Sequence, residues 1–184
     1  MPDKPDRYSL PWTGMVGALL VLVLIVVGLW ALRELSGGDQ GQAVATVQYS
    51  GWLKAGRRDG RLRMFAPSPM PAGWRATSAS YVSGDRPRWH LGMLTGGQQY
   101  VGIEEGTASA RSLLHASVDG AAARGHPVRV AGHRWSTWHD HGGDYALSRR
   151  LPASRGHHGE TLLVIGSAPP AQVRALATSL RPRA

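Results

Sequence analysis

The stretch Met15–Leu32, MVGALLVLVLIVVGLWAL, constrains this chain more than any other. Its 18 residues are apolar or glycine, and no charge occurs between Arg7 and Arg33. An uncharged run of this length is the signature of a membrane-spanning helix. At a helical rise of 1.5 Å per residue it covers roughly 27 Å, close to the hydrocarbon thickness of a bilayer. Trp12 and Trp30 stand at its two ends, where interfacial aromatic anchors belong.

The rest of the chain is organised around that run. Residues 1–14 form a short polar tail, 33–42 a Gly-rich linker (SGGDQGQ at its end), and 43–184 one domain of ordinary size. A cleaved signal peptide is the rival reading of the apolar run. The run is longer than a signal peptide's apolar core, and the small-residue triplet Ala43-Val44-Ala45 lies about ten residues past its end. The expectation is an uncleaved signal anchor. Lys4, Arg7 and the terminal amine precede the run, whereas only Arg33 follows closely, so the positive-inside rule places the N-terminus in the cytoplasm and the domain outside.

From Ser36 onward there are 18 Arg or Lys against 9 Asp or Glu, a net +9. That balance favours polyanionic neighbours such as lipid head groups or wall polymer. The densest basic stretch is Lys54, Arg57, Arg58, Arg61 and Arg63, a candidate polyanion contact; a solvated helix-to-strand turn is the ordinary explanation for such a run. Nineteen of the 21 basic residues are arginine, which fits GC-rich codon usage as well as it fits recognition. Cysteine is absent, which removes disulfides, thiolate metal sites and thiol catalysis.

Apolar spacing predicts a helix over 43–55 ending at Gly56, a short strand over 62–66, and a proline-stiffened crossover at Pro67–Trp74. A strand over 74–82 follows. Trp89–Thr95 and Gln98–Glu105 read as a hairpin closed by a two-residue Gly96-Gly97 turn, which pairs Met93 with Tyr100 and Trp89 with Glu104. In that register both hairpin faces carry apolar residues, so both should be covered. Thr107 or Ser109 caps a second helix; strands follow at Val128–Val130, His133–His139 and Tyr145–Arg150. The continuous apolar run Thr161–Ile165 suits a central strand buried on both faces. Pro169 and Pro170 open a final helix with Val173, Leu176, Ala177 and Leu180 on one stripe. The expected fold is α+β: a transmembrane helix, then a mainly antiparallel sheet of about seven strands covered by helices on both faces.

The anchor, PSPMPAGW at Pro67–Trp74, WHLGMLTGGQQYVG at Trp89–Gly102 and TLLVIGSA at Thr161–Ala168 form a set. As a set they resemble the domain of unknown function 4245 family, single-pass envelope proteins of actinobacteria, over nearly the whole chain. The resemblance implies a membrane-anchored envelope protein. It brings no activity, substrate, cofactor or site residues.

Candidate chemistry is confined to histidine. His139 and His141, with Asp144 nearby, are possible zinc ligands, but His-x-His without a spaced third ligand has little specificity, and loop histidines are usually solvated. No Gly-x-Ser-x-Gly, Walker or dinucleotide fingerprint occurs. Glu104 and Glu105 are adjacent and so point to opposite faces of a strand. The leading expectation is therefore a non-catalytic interaction or accessory module held at the membrane, without cofactor. Trp12, Trp30 and Arg33 would lie at the interface, and the partners would be the bilayer, anionic lipid or wall polymer and an envelope protein, not nucleic acid. The alternative is a His-based, metal-dependent hydrolase acting outside the membrane.

Overall fold

The computed structural model describes residues 45–117, 122–154 and 157–183. Met15–Leu32, Trp12, Trp30 and Arg33 lie outside them; among the described residues no helix is long and apolar enough to cross a membrane. From Ala45 onward the chain folds as one α+β unit.

Its elements run in this order: α1 (Ser50–Asp59), β1 (Phe65–Pro67), β2 (Arg75–Val82), β3 (Arg88–Leu94), β4 (Tyr100–Gly106), α2 (Ala110–Ser117) and β5 (Ala123–Arg124). There follow β6 (Val128–Val130), β7 (His133–His139), β8 (Tyr145–Leu151), β9 (Glu160–Gly166), α3 (Pro170–Ser179) and β10 (Leu180–Pro182). The main sheet has the order β2-β3-β4-β9-β8-β7-β5, with β6 beside β7, and all its pairings are antiparallel. β1 and β10 form a separate two-stranded ribbon.

The apolar run at 161–165 becomes β9, the central strand, buried along its whole length. Its neighbours set the layers. Leu91, Ile103, Val164 and Leu147 form one cross-strand row, and α3 lays Val173, Leu176 and Ala177 over that face. Leu53 and Tyr49 of the α1 segment pack against the same cluster. On the opposite face Leu163, Ile165, Ala146 and Trp138 meet Leu113 and Leu114 of α2. Ser109 Oγ accepts the Ser112 N–H at 3.2 Å, the expected N-cap, and Pro170 opens α3.

Four expectations are corrected. First, the β3–β4 loop is not a two-residue turn. Thr95 N–H donates to the Gln99 carbonyl at 2.9 Å, and Gln98, not a glycine, takes positive φ (60°). A residue in the left-handed region after Gly96-Gly97 gives the three-residue loop geometry. The register therefore shifts by one residue: Leu94 pairs with Tyr100, Leu91 with Ile103, His90 with Glu104 and Trp89 with Glu105. A one-residue slip changes which residues share a face. Trp89, Leu91, Met93, Val101 and Ile103 all lie on the core side.

Second, the hairpin is accordingly not apolar on both faces. Its outer side carries Arg88, His90, Gly92, Tyr100, Gly102 and Glu104, while α2 covers the sheet over β8 and β9. Third, the first helix runs Ser50–Asp59 and stops at Gly60, whose φ of 68° supplies the left-handed cap. Gly56 lies inside it, facing Met64, where a side chain would not fit. Fourth, the described residues hold ten strands, because short pairings such as Ala123–Arg124 and Leu180–Pro182 carry little sequence signal.

The β1 segment is fastened to the core face by two hairpin side chains. Glu105, fully buried, accepts the Phe65 N–H at 2.8 Å and the Met64 N–H at 3.1 Å. Trp89 donates its indole N–H to the Phe65 carbonyl at 2.8 Å. Burial pushes the Glu105 carboxyl up to about 8; the two backbone donors oppose this and neighbouring Glu160 adds to it. Glu160, also fully buried, faces Arg63 at 3.5 Å and His157 at 3.4 Å.

Both clusters and every strand pairing lie within residues 45–183, so the unit carries its own core. A chain of residues 45–184 should unfold cooperatively in urea. Within it, Gly166→Ala should cost about 3 kcal/mol, because the added methyl would run into the Tyr100 carbonyl. Gly51→Ala, in a helix with open space around it, should gain up to ~1 kcal/mol. Since folding raises the Glu105 pKa, its contribution is full below the ordinary carboxylate range and is lost as pH rises through about 8. Urea midpoints should fall between pH 5 and 8.5, and Glu105→Gln should flatten that slope.

Candidate functional site

Two features stand out on the domain, and they use different faces of the sheet. The first is a cavity of about 720 Å³ where the chain enters the fold. Val47 donates its N–H to the Ala76 carbonyl at 2.8 Å, which lays the entry segment along the start of β2. α1 then folds over that edge, and the proline-rich segment 67–74 closes the other side. Val47, Tyr49, Leu53, Met70 and Trp74 supply apolar walls. Lys54, Arg57, Arg75 and Arg183 supply cations, and among the described residues no carboxylate lines the space.

The charges are held differently. Lys54 and Arg57 are exposed, with no ion-pair partner among the described residues. Arg75 donates to Gln98 Oε1 at 2.5 Å. Arg183 donates to the Pro67 carbonyl at 3.2 Å, while its Nε is buried with no hydrogen-bond partner among the described residues. A buried guanidinium nitrogen without an acceptor is costly, and an anionic group would satisfy it.

The second feature is a polar relay on the outer face of β2, β3 and β4. Ser78 Oγ lies 2.9 Å from His90 Nε2, and His90 Nδ1 lies 2.6 Å from Glu104 Oε1. Arg88 Nε donates to the other Glu104 oxygen at 3.0 Å. The Glu104 side chain is almost wholly buried and that of His90 largely so. Side chains at Gly92 and Gly102 would collide with Ser78 and with Tyr100, so these glycines make the floor on which both lie. Burial pushes the Tyr100 phenol up to about 12, with the charges of Glu104 and Asp144 adding to it, so it stays a neutral donor. A β-bulge between Ala76 and Ser78 sets the register that aims Ser78 at the histidine. An ordered hydroxyl–imidazole–carboxylate chain can carry a proton from serine to histidine.

The five basic residues singled out from the sequence separate in the fold. Lys54 and Arg57 line the cavity, and Arg58 is exposed on α1 beside them. Arg61 is taken up by Asp59 at 3.6 Å, Asp85 at 3.8 Å and the Gly84 carbonyl at 2.7 Å. Arg63 turns inward to Glu160 and to the Pro152 carbonyl at 2.7 Å. As for the histidine cluster, His139 packs on the Tyr145 ring with centroids 5.0 Å apart, and His141 is exposed. Asp144 gives its N–H to Asp140 Oδ1 at 2.7 Å. Among the described residues no group of three His, Asp or Glu side chains is placed to hold a metal ion.

Neither feature was read from the sequence. The relay needs the one-residue register shift that brings His90 opposite Glu104. Polar residues at 88, 90 and 104 alternating with apolar ones at 89, 91, 93, 101 and 103 were the available signal. The cavity draws on segments as far apart as Val47 and Arg183, which no local pattern links.

No curated protein matches the chain. Two solved structures share part of it, the Pseudomonas aeruginosa MucA/MucB complex and MucB in complex with MucA(peri). They are 18% and 20% identical, each with a TM-score of 0.39, covering 65% of this chain and 35% and 36% of theirs. The chain thus spans about a third of the length of those proteins. A family described as protein of unknown function (DUF4245) matches residues 7–180, and on that extent the chain belongs to it.

Proposed function

We propose that this is a single-pass membrane protein of the cell envelope, with a cytoplasmic N-terminus, whose folded domain is a non-catalytic binding module at the outer face. The uncharged run Met15–Leu32 ahead of a chain that carries a net +9 from Ser36 onward supports the tether. The observation that carries the binding role is the unneutralised cationic face of α1: Lys54, Arg57 and Arg58 project with no carboxylate in ion-pair range among the described residues. Such a face suits anionic lipid or wall polymer.

A C-terminal reporter fusion should be active outside the cytoplasm, and a reporter active only in the cytoplasm would reverse the orientation. Residues 45–184 should float with anionic vesicles at low salt and not with neutral ones. Lys54→Gln/Arg57→Gln/Arg58→Gln together should abolish the difference, each charge near the surface being worth about 1 kcal/mol.

A second reading rests on the Ser78–His90–Glu104 relay. It replaces the metal-dependent hydrolase with metal-free acyl transfer, in which Ser78 attacks an ester carbonyl, His90 takes its proton and returns it to the departing alcohol as the ester C–O bond breaks, Glu104 orients the imidazole, and water then releases the acyl group from Ser78. It ranks second because acyl transfer also needs donors aimed at the developing oxyanion, and Tyr100 beside the relay is a side-chain hydroxyl in place of the usual backbone N–H pair. Under this reading the protein hydrolyses p-nitrophenyl acetate, and Ser78→Ala lowers the rate by at least about 100-fold. Equal rates for the two proteins at every pH dismiss it.

A further inference from the structure

We infer that the cavity between α1, the start of β2 and the 67–74 segment is a binding site for an amphiphile with a single apolar chain and an anionic, phosphate-like head. This deepens the binding-module reading and rests on it. The cavity has both parts of the required chemistry. Leu53, Met70 and Trp74 offer apolar surface that a hydrocarbon chain would take out of water, contributing roughly 25 cal/mol per Å². Lys54, Arg57, Arg75 and Arg183 offer positive charge from three separate segments of the chain. Among the described residues no acid stands on the walls to repel an anion.

The volume of about 720 Å³ falls in the range of small-molecule pockets. Arg183, whose guanidinium donates to the Pro67 carbonyl, adds a held positive charge to the wall against which the head would lie. A purely electrostatic surface would need no apolar walls, and a purely apolar groove would not collect four cations. The occupant that satisfies both is an anionic amphiphile, whether a membrane lipid displaced into the site or a free one.

Calorimetric titration of residues 45–184 with decyl phosphate, below its aggregation concentration, tests this against inorganic phosphate and octyl glucoside. Decyl phosphate should bind one to one, at least about tenfold tighter than either comparison compound, since both halves of the site contribute. Lys54→Gln/Arg57→Gln should weaken it by about tenfold or more. Arg86→Gln, an exposed arginine between β2 and β3 that does not line the cavity, should leave it unchanged.

Equal affinity for octyl glucoside would reduce the cavity to an apolar groove, and equal affinity for phosphate would reduce it to an anion site. An Arg86→Gln effect matching that of the double variant would leave only general surface charge. Each result overturns the proposal, as does no binding. The tether is read separately by the C-terminal reporter on the full chain. A cytoplasmic reporter with intact decyl phosphate binding removes the envelope reading and leaves the site. An outside reporter without binding removes the site alone.

Discussion

The peptide unit at Phe65 is the joint on which the rest of the domain depends. Its N–H goes to the Glu105 carboxylate and its C=O to the Trp89 indole, both from the core side of one hairpin. Through β1 this joint holds β10, and through β10 it holds the end of α3, whose Val173 and Leu176 close the core over β9. A buried carboxyl is expensive unless its oxygens are satisfied. Here two backbone donors satisfy it, yet burial outweighs them, so the strut that fixes the second sheet is also a group whose protonation the fold favours.

The same hairpin serves the opposite face by strand alternation. Glu105 points into the core and Glu104 points out to His90 and Arg88. One register decision therefore sets both a structural strut and a solvent-side relay. A sheet of mixed polarity at this point is also why no helix is needed over the hairpin's outer face. Glycines 92 and 102 let Tyr100 and Ser78 lie close to the backbone instead.

The cavity has a different origin. It forms where the entry segment pairs with Ala76, α1 turns back over that pairing, and the proline-rich segment lays Met70 and Trp74 along its other wall. Its position at the first described residues puts the cationic cavity 14 residues after Leu32 in the chain, at Thr46.

Much of the architecture was legible in the residues themselves. The continuous apolar run at 161–165 marked the central strand, Ser109 and Pro170 marked two helix starts, and the alternating stretches 133–139 and 145–150 marked strands. These are local signals, carried by side-chain periodicity and by the backbone limits of proline and capping residues. The hairpin register was not local. It depends on whether a glycine or Gln98 adopts positive φ, a choice decided by how β4 docks on β9 and buries Val101 and Ile103. The Ser78–His90–Glu104 contacts inherit that choice, and the cavity joins residues 136 positions apart. By itself the sequence determined an uncharged run long enough to span a bilayer, a basic α+β domain and its central strand. Only the tertiary structure decided which polar side chains meet, because contacts between strands and across layers depend on register and packing that no single segment encodes.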